Sequence, residues 1–171
     1  MRRLNNVERL NILFQASMLP DLKDYYVDVR KVAKWVYSGD EWAISFDDER
    51  FEKEPHPKDD VVAETCEIFD MFLHLQRSDI SGIPVDSPEA RRLVFNGFDG
   101  NNDDHYHIAQ ILIDDLERYV AVRDGTSNSH SVGTISKYRT MVAKYRSAID
   151  RRAETARYGP LTLEDLNDVV S

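Results

Sequence analysis

Asp99, Asn101 and Asp103 set oxygen donors at alternate positions of the run from Asp99 to Asp104, the spacing with which a calcium loop opens. Such a loop also needs glycine at its sixth position, for the sharp turn, and a bidentate glutamate at its twelfth. Those positions hold Asp104 and Gln110, so the run is read as a cap for the helix that follows. His105 and His107 stand two residues apart. On a strand they would share a face, but on a helix they diverge by roughly 200°. His107 instead joins Asp103, Gln110 and Asp114 in a polar stripe. No nearby H-x-x-x-H or H-x-x-D-H completes a metallohydrolase set. Asp70 and His74, four residues apart, are spaced to pair on a helix surface. Cys66 lies on an apolar stripe next to Glu64, Glu67 and Asp70, a setting that disfavours a thiolate and suits a core position.

One basic surface is expected, from Lys137, Arg139, Lys144, Arg146, Arg151, Arg152 and Arg157. Tyr138 and Tyr145 interleave it, but both fall on the inward stripe of their helix. Core packing accounts for them better than base stacking does. Trp35, Tyr37, Trp42 and Phe46 form an aromatic group larger than one helix face can bury, which fits either a core or a contact between copies.

The elements that must position these groups are helical throughout. Val7, Leu10, Phe14 and Ser17-Met18 share one face of a first helix that Pro20 ends. Leu22, Tyr25, Val29, Val32 and Val36 mark a second from Asp21, closed by Gly39, and a short piece covers Trp42 to Phe46. The stretch from Asp47 to Asp60 lapses into charge and proline and is read as a solvated acidic loop. A third long helix runs from Asp59–Asp60 to about Gln76, burying Val62, Cys66, Phe69 and Leu73. Ser87 and Pro88 cap and start a short helix to Phe95. Asn96-Gly97-Phe98 is then a stop and an anchored turn, since glycine supplies backbone angles that other residues resist. His105 to Val122 is expected as one helix with Tyr119 and Val120 inward. Gly125–Gly133 is a polar loop. Ile135 to Ile149 marks a further helix, and Thr162 opens a terminal one. No strand pair, repeat or linker is evident. The pattern predicts a single all-α domain over residues 1–171, a bundle of six to seven helices.

The 171 residues, 42% of them hydrophobic, can bury one core. The net charge of −9 argues against a general nucleic-acid binder. Twelve acidic against three basic side chains between Asp40 and Asp70 account for all of it. A single cysteine allows no internal disulfide, and polar residues interrupt any apolar core of a leader within the first twenty. No stretch reaches a membrane span, so the expectation is a cytoplasmic chain.

Several segments together resemble the YfbU-like family, small bacterial proteins of uncharacterised activity. Asn6-Val7-Glu8-Arg9-Leu10 is similar to its opening N-x-x-R-L, and Glu64-Thr65-Cys66 with Asp70-Met71 to its E-T-C helix. Arg91-Arg92, Phe95 and Gly97-Phe98-Asp99 resemble its R-R-V-x-F-x-G-F-D segment. Tyr138-Arg139 and Leu161-Thr162 with Glu164, Leu166 and Asn167 follow in the same order. The similarity runs from about Asn6 to Val170. The chain departs from the family pattern in its longer, more acidic loop at 47–60 and in Gly100-Asn101-Asn102. Some relatives carry an added DNA-binding ribbon-helix-helix segment, a role not expected to carry over.

The leading expectation is an interaction or regulatory module that self-associates, with an unidentified protein as a further partner and no cofactor or metal. The first alternative is a metal-assisted hydrolase at the Asn96–Asp104 turn, covered by the Gly125–Gly133 loop. The second is a nucleic-acid-associated regulator using the basic helix 137–157. Asn96, Asp99, Asp103, His107, His130, Arg139 and Arg146 are the candidate binding surface.

Overall fold

The computed structural model describes residues 4–18, 28–47, 56, 58–78, 82–84, 86–122, 133–154 and 160–171. They form two compact units, Met1–Asp60 and Val61–Ser171. Among the described residues there is no strand, and six of the eight α-helices are seven residues or longer. The chain is all-α.

In the first unit, α1 (Asn6–Met18) starts on Asn5, whose Oδ1 accepts the Val7 and Glu8 amides at 3.0 Å each. Helix α2 (Val29–Ser38) is capped by Asp28, which accepts from the Arg30 and Lys31 amides. The expected start at Asp21 lies outside the described residues. The helix closes on Gly39 at φ 78°, as expected, and α3 (Trp42–Asp47) follows. Trp35, Val36, Trp42, Ala43 and Ile44 are buried, while Tyr37 stays exposed.

In the second unit, α4 (Asp59–Arg77, its first two residues belonging to the first unit) buries Thr65, Ile68, Phe69, Met71, Phe72 and Leu75. That face is broader than the stripe expected, and Cys66 and Leu73 sit half-buried at its edge. Helix α5 (Pro88–Arg92) has Ser87 as its cap, and α6 runs from Asp104 to Gln110. The continuous helix expected as far as Val122 does not form. Residues Ile111–Asp115 widen into a π-turn closed by the Leu116 amide on the Ile111 carbonyl. Glu117 and Tyr119 then take positive φ. Val120, expected inward, is consequently turned out and 54% exposed. Helix α7 (Thr134–Glu154) and α8 (Leu163–Val170) complete the unit. Thr162 and Asp165 cap α8 reciprocally. The core is aromatic: Phe69, Phe72, Phe95, Phe98 and Tyr138 pack with ring centroids 5.1 to 6.2 Å apart.

Candidate functional site

The turn after α5 is built by the fold's own hydrogen bonds. Gly97 holds φ 83°, a left-handed conformation that costs a side chain strain. Asn96 closes the preceding turn, its Nδ2 donating to the Arg91 and Val94 carbonyls. The Tyr138 hydroxyl, reaching across from α7 in the core, accepts from the Asn96 amide and donates to the Gly97 carbonyl, both at 3.1 Å. Burial pushes the Tyr138 pKa up to about 12, against the opposing bond from Asn96. The phenol therefore keeps its proton, and its bond to the Gly97 carbonyl, around neutral pH.

Asp99 is buried, and its carboxylate accepts from the Asn101 amide at 3.0 Å and Asn102 Nδ2 at 2.6 Å. Asp103, expected to cap the helix that follows, sits at the start of α6 without a side-chain bond to its amides and instead turns back to accept from the Asp99 amide at 3.1 Å. Two of the three oxygen donors that suggested a calcium loop, the carboxylates of Asp99 and Asp103, are thus engaged in the turn itself. His105, not His107, enters the core: it stacks on Phe98 at 5.4 Å, and its Nε2 lies 2.8 Å from Glu64 Oε2. His107 is half-buried one turn beyond Asp103. His130 lies outside the described residues, so the loop expected to cover the turn is not described. Among the described residues, no three His, Cys, Asp or Glu side chains are grouped to hold a metal ion.

Glu64 joins this turn to the basic helix. Arg139 engages it through Nε at 2.6 Å and Nη2 at 2.9 Å, the planar fork that suits a carboxylate. With His105 also bonded, this outweighs partial burial and holds the Glu64 carboxyl down to about 2. Asp103 adds a further negative charge towards Arg139. Two turns along α7, Arg146 grips Glu67 in the same way. Between these pairs α4 and α7 enclose a shallow cleft of about 200 Å³ floored by Ile68, Val142 and Ala143. Arg151 and Arg152 face Asp165 on α8, and Lys144 donates to Ser171. Burial opposes the Asp165 charge, but bonds from Thr162 and the two arginines hold its pKa below the ordinary value. Among the described residues, the basic surface expected on α7 is therefore largely matched by acids of α4 and α8, while most of the acidic loop expected at 47–60 lies outside the described residues.

Cys66, expected in the core, is half-buried and hydrogen-bonded to Tyr119, which also bonds Asp70. Burial raises the thiol pKa, and Asp70 raises it further. That combination opposes nucleophilic use. His74, read as a partner for Asp70, has Nδ1 3.0 Å from the Tyr145 hydroxyl.

Sequence reasoning missed a polar cluster in the first unit. Asp40 is fully buried and accepts from Trp42 Nε1 at 3.1 Å and Lys58 Nζ at 2.6 Å. Buried Glu41 pairs with Arg9 of α1 at 2.7 Å and faces His56 Nε2 at 3.7 Å. His56 Nδ1 accepts the Lys58 amide at 3.1 Å. Each carboxylate has its own cation, an arrangement for fixing elements in place. The available signal was the C-cap Gly39 followed at once by two acids and a tryptophan whose N–H needs a partner.

Arg9 has a particular consequence. It pins the charged back of α1, where Glu8, Arg9, Ile12, Leu13 and Ala16 are partly covered. The opposite face stands open: Val7 is 68% exposed, Leu10 65%, Phe14 66% and Met18 68%. Asn6, Asn11, Gln15 and Ser17 flank it, and no charged side chain interrupts it.

A family model for the YfbU domain matches residues 1–171, the whole chain, and the protein belongs to that family. No curated protein and no solved structure matches it. No described helix is long and apolar enough to cross a membrane.

Proposed function

We propose that this YfbU-family chain works as one domain that binds protein, first of all itself, as a regulatory or scaffolding module in the cytoplasm. The open face of α1 carries the reading. Its four apolar side chains leave on the order of 500 Å² in water, the size of the largest apolar patch on an ordinary monomer, which is often a functional one. At roughly 25 cal/mol per Å², leaving that area uncovered forgoes on the order of 10 kcal/mol. The absence of charge on the same face fits the centre of a protein interface, where charged residues are depleted. This contrasts with a chain of which 31% is Asp, Glu, Lys or Arg.

The groups that would serve other functions have structural employment. Asp99, Asp103 and Asn96 hold the turn, and His105 anchors Glu64. Arg139 and Arg146 are engaged by glutamates, which a phosphate backbone would have to displace before any counterion release could favour binding.

The test is the mass of the purified full chain in solution, measured by light scattering across a hundredfold range of concentration. A mass rising to twice the 19.8 kDa of one chain is expected. A constant 19.8 kDa up to millimolar concentration would overturn self-association.

A further inference from the structure

We infer that the occupant of the α1 face is the α1 face of a second copy, packed antiparallel about a twofold axis that passes between Leu10 and Phe14. This rests on the self-association just proposed and adds to it a surface, an orientation and a register.

The residues at positions 7, 10, 14 and 18 recur three and four apart, which lays them in one seam along the 13-residue helix. Side-chain size grows along that seam from Val7 through Leu10 to Phe14, and Met18 is about the size of Leu10. In a parallel pair, valine would meet valine at one end and phenylalanine would meet phenylalanine nearer the other. That leaves a gap at the first and a clash at the second. Reversed, Val7 meets Met18 and Leu10 meets Phe14, so the smaller side chain of each pair faces a larger one, valine no longer meets valine or phenylalanine phenylalanine, and the helices stay more evenly spaced. Antiparallel helix dipoles also attract.

Charge permits a second copy at this face and at few others. The chain carries −9, and most of its exterior would repel its own duplicate. The α1 face bears no charge, so contact between two of them incurs no such penalty. The area is sufficient as well. Four apolar side chains with Asn6, Asn11 and Gln15 offer on the order of 800 Å² per copy, the size of a standard stable interface.

The geometry sets a cross-linking pattern. With a rise of 1.5 Å per residue and the axis near position 12.5, the two Asn11 positions are offset by about 4 to 5 Å along the helices. The two Asn6 positions are offset by about 20 Å. In a Cys66→Ala background, Asn11→Cys should cross-link to a dimer with a bifunctional thiol reagent of about 8 Å span. Asn6→Cys should not. Cross-linking at both sites would signify parallel helices, and cross-linking at neither in a chain that still dimerises would place the interface elsewhere. Either result overturns the inference while leaving self-association intact. A chain that never dimerises would overturn both. Independently, Leu10→Asp and Phe14→Asp introduce like charges beside the axis on a surface that the monomer leaves open. Each should keep its helical circular dichroism and raise the dissociation constant by on the order of 100-fold. Unchanged dimerisation in both variants would likewise refute the pairing.

Discussion

Tyr138→Phe removes one oxygen atom and changes nothing else in volume. The hydroxyl accepts from the Asn96 amide and donates to the Gly97 carbonyl, both at 3.1 Å, from a side chain only 1% exposed. Losing it leaves the Gly97 carbonyl in the core without that donor, and a buried polar group left unpaired costs about 1 to 3 kcal/mol. The Asn96 amide lies nearer the surface, where water can replace the phenol, so its loss adds about 0.5 kcal/mol. The expected destabilisation is about 2 kcal/mol, a fall in Tm of about 4 to 8 °C for a chain of this length. Urea denaturation followed by circular dichroism and a thermal scan measure it. Tyr145→Phe is the control. Its hydroxyl meets His74 on a half-buried edge, and its removal should cost no more than about 0.5 kcal/mol. If Tyr138→Phe costs as little as the control, the turn does not depend on the phenol, and the structural reading of Asn96–Asp104 fails.

Glu64→Gln should show a pH-dependent cost. The Glu64 pKa in the folded chain, about 2, lies below the 4.5 of a free glutamate, so its contribution is complete above about pH 4.5 and drains away as pH falls towards 2. The shift alone would correspond to about 3 kcal/mol, but Arg139 is 57% exposed and solvent screening reduces this to about 1 kcal/mol. Urea midpoints of the two proteins should therefore differ at pH 7 and converge by pH 2, whereas a gap that ignores pH would contradict the pairing. Gly97→Ala forces a side chain into φ 83° and should cost about 1 to 2 kcal/mol in the same assay, against near-neutrality if the turn can relax. Cys66, half-buried with its pKa raised, should react with an aromatic disulfide at pH 8 at least about tenfold more slowly in the native chain than in urea. Equal rates would mean that the thiol is open.

Caps and turns were legible because their chemistry is local. Ser87-Pro88, Thr162 with Asp165, and Gly39 each announce a helix end within four residues, and the structure follows them. The Gly97 turn was legible for the same reason. What holds that turn was not: Tyr138 lies 41 residues from Gly97, and Glu64 the same distance from His105, separations across which periodicity carries no information. His105 and His107 consequently read alike in sequence, and only packing distinguishes the buried one. The break at Ile111–Asp115 was hidden because a π-turn uses the same apolar residues as the helix it interrupts. The seam on α1 shows the remaining ambiguity. Spacing reveals that Val7, Leu10, Phe14 and Met18 share a face, but a face bound for a partner has the same period as one bound for the core. The ion pair from Arg9 to Glu41, which turns the other side of α1 inward, is a tertiary contact.

Hydrogen exchange of the α1 amides as a function of protein concentration tests most directly whether this helix is where the protein meets protein. Pairing predicts that amides from Leu10 to Met18 become more protected as concentration rises, while those in the middle of α4 keep one rate throughout. Exchange from α1 that stays the same from micromolar to millimolar protein would contradict it.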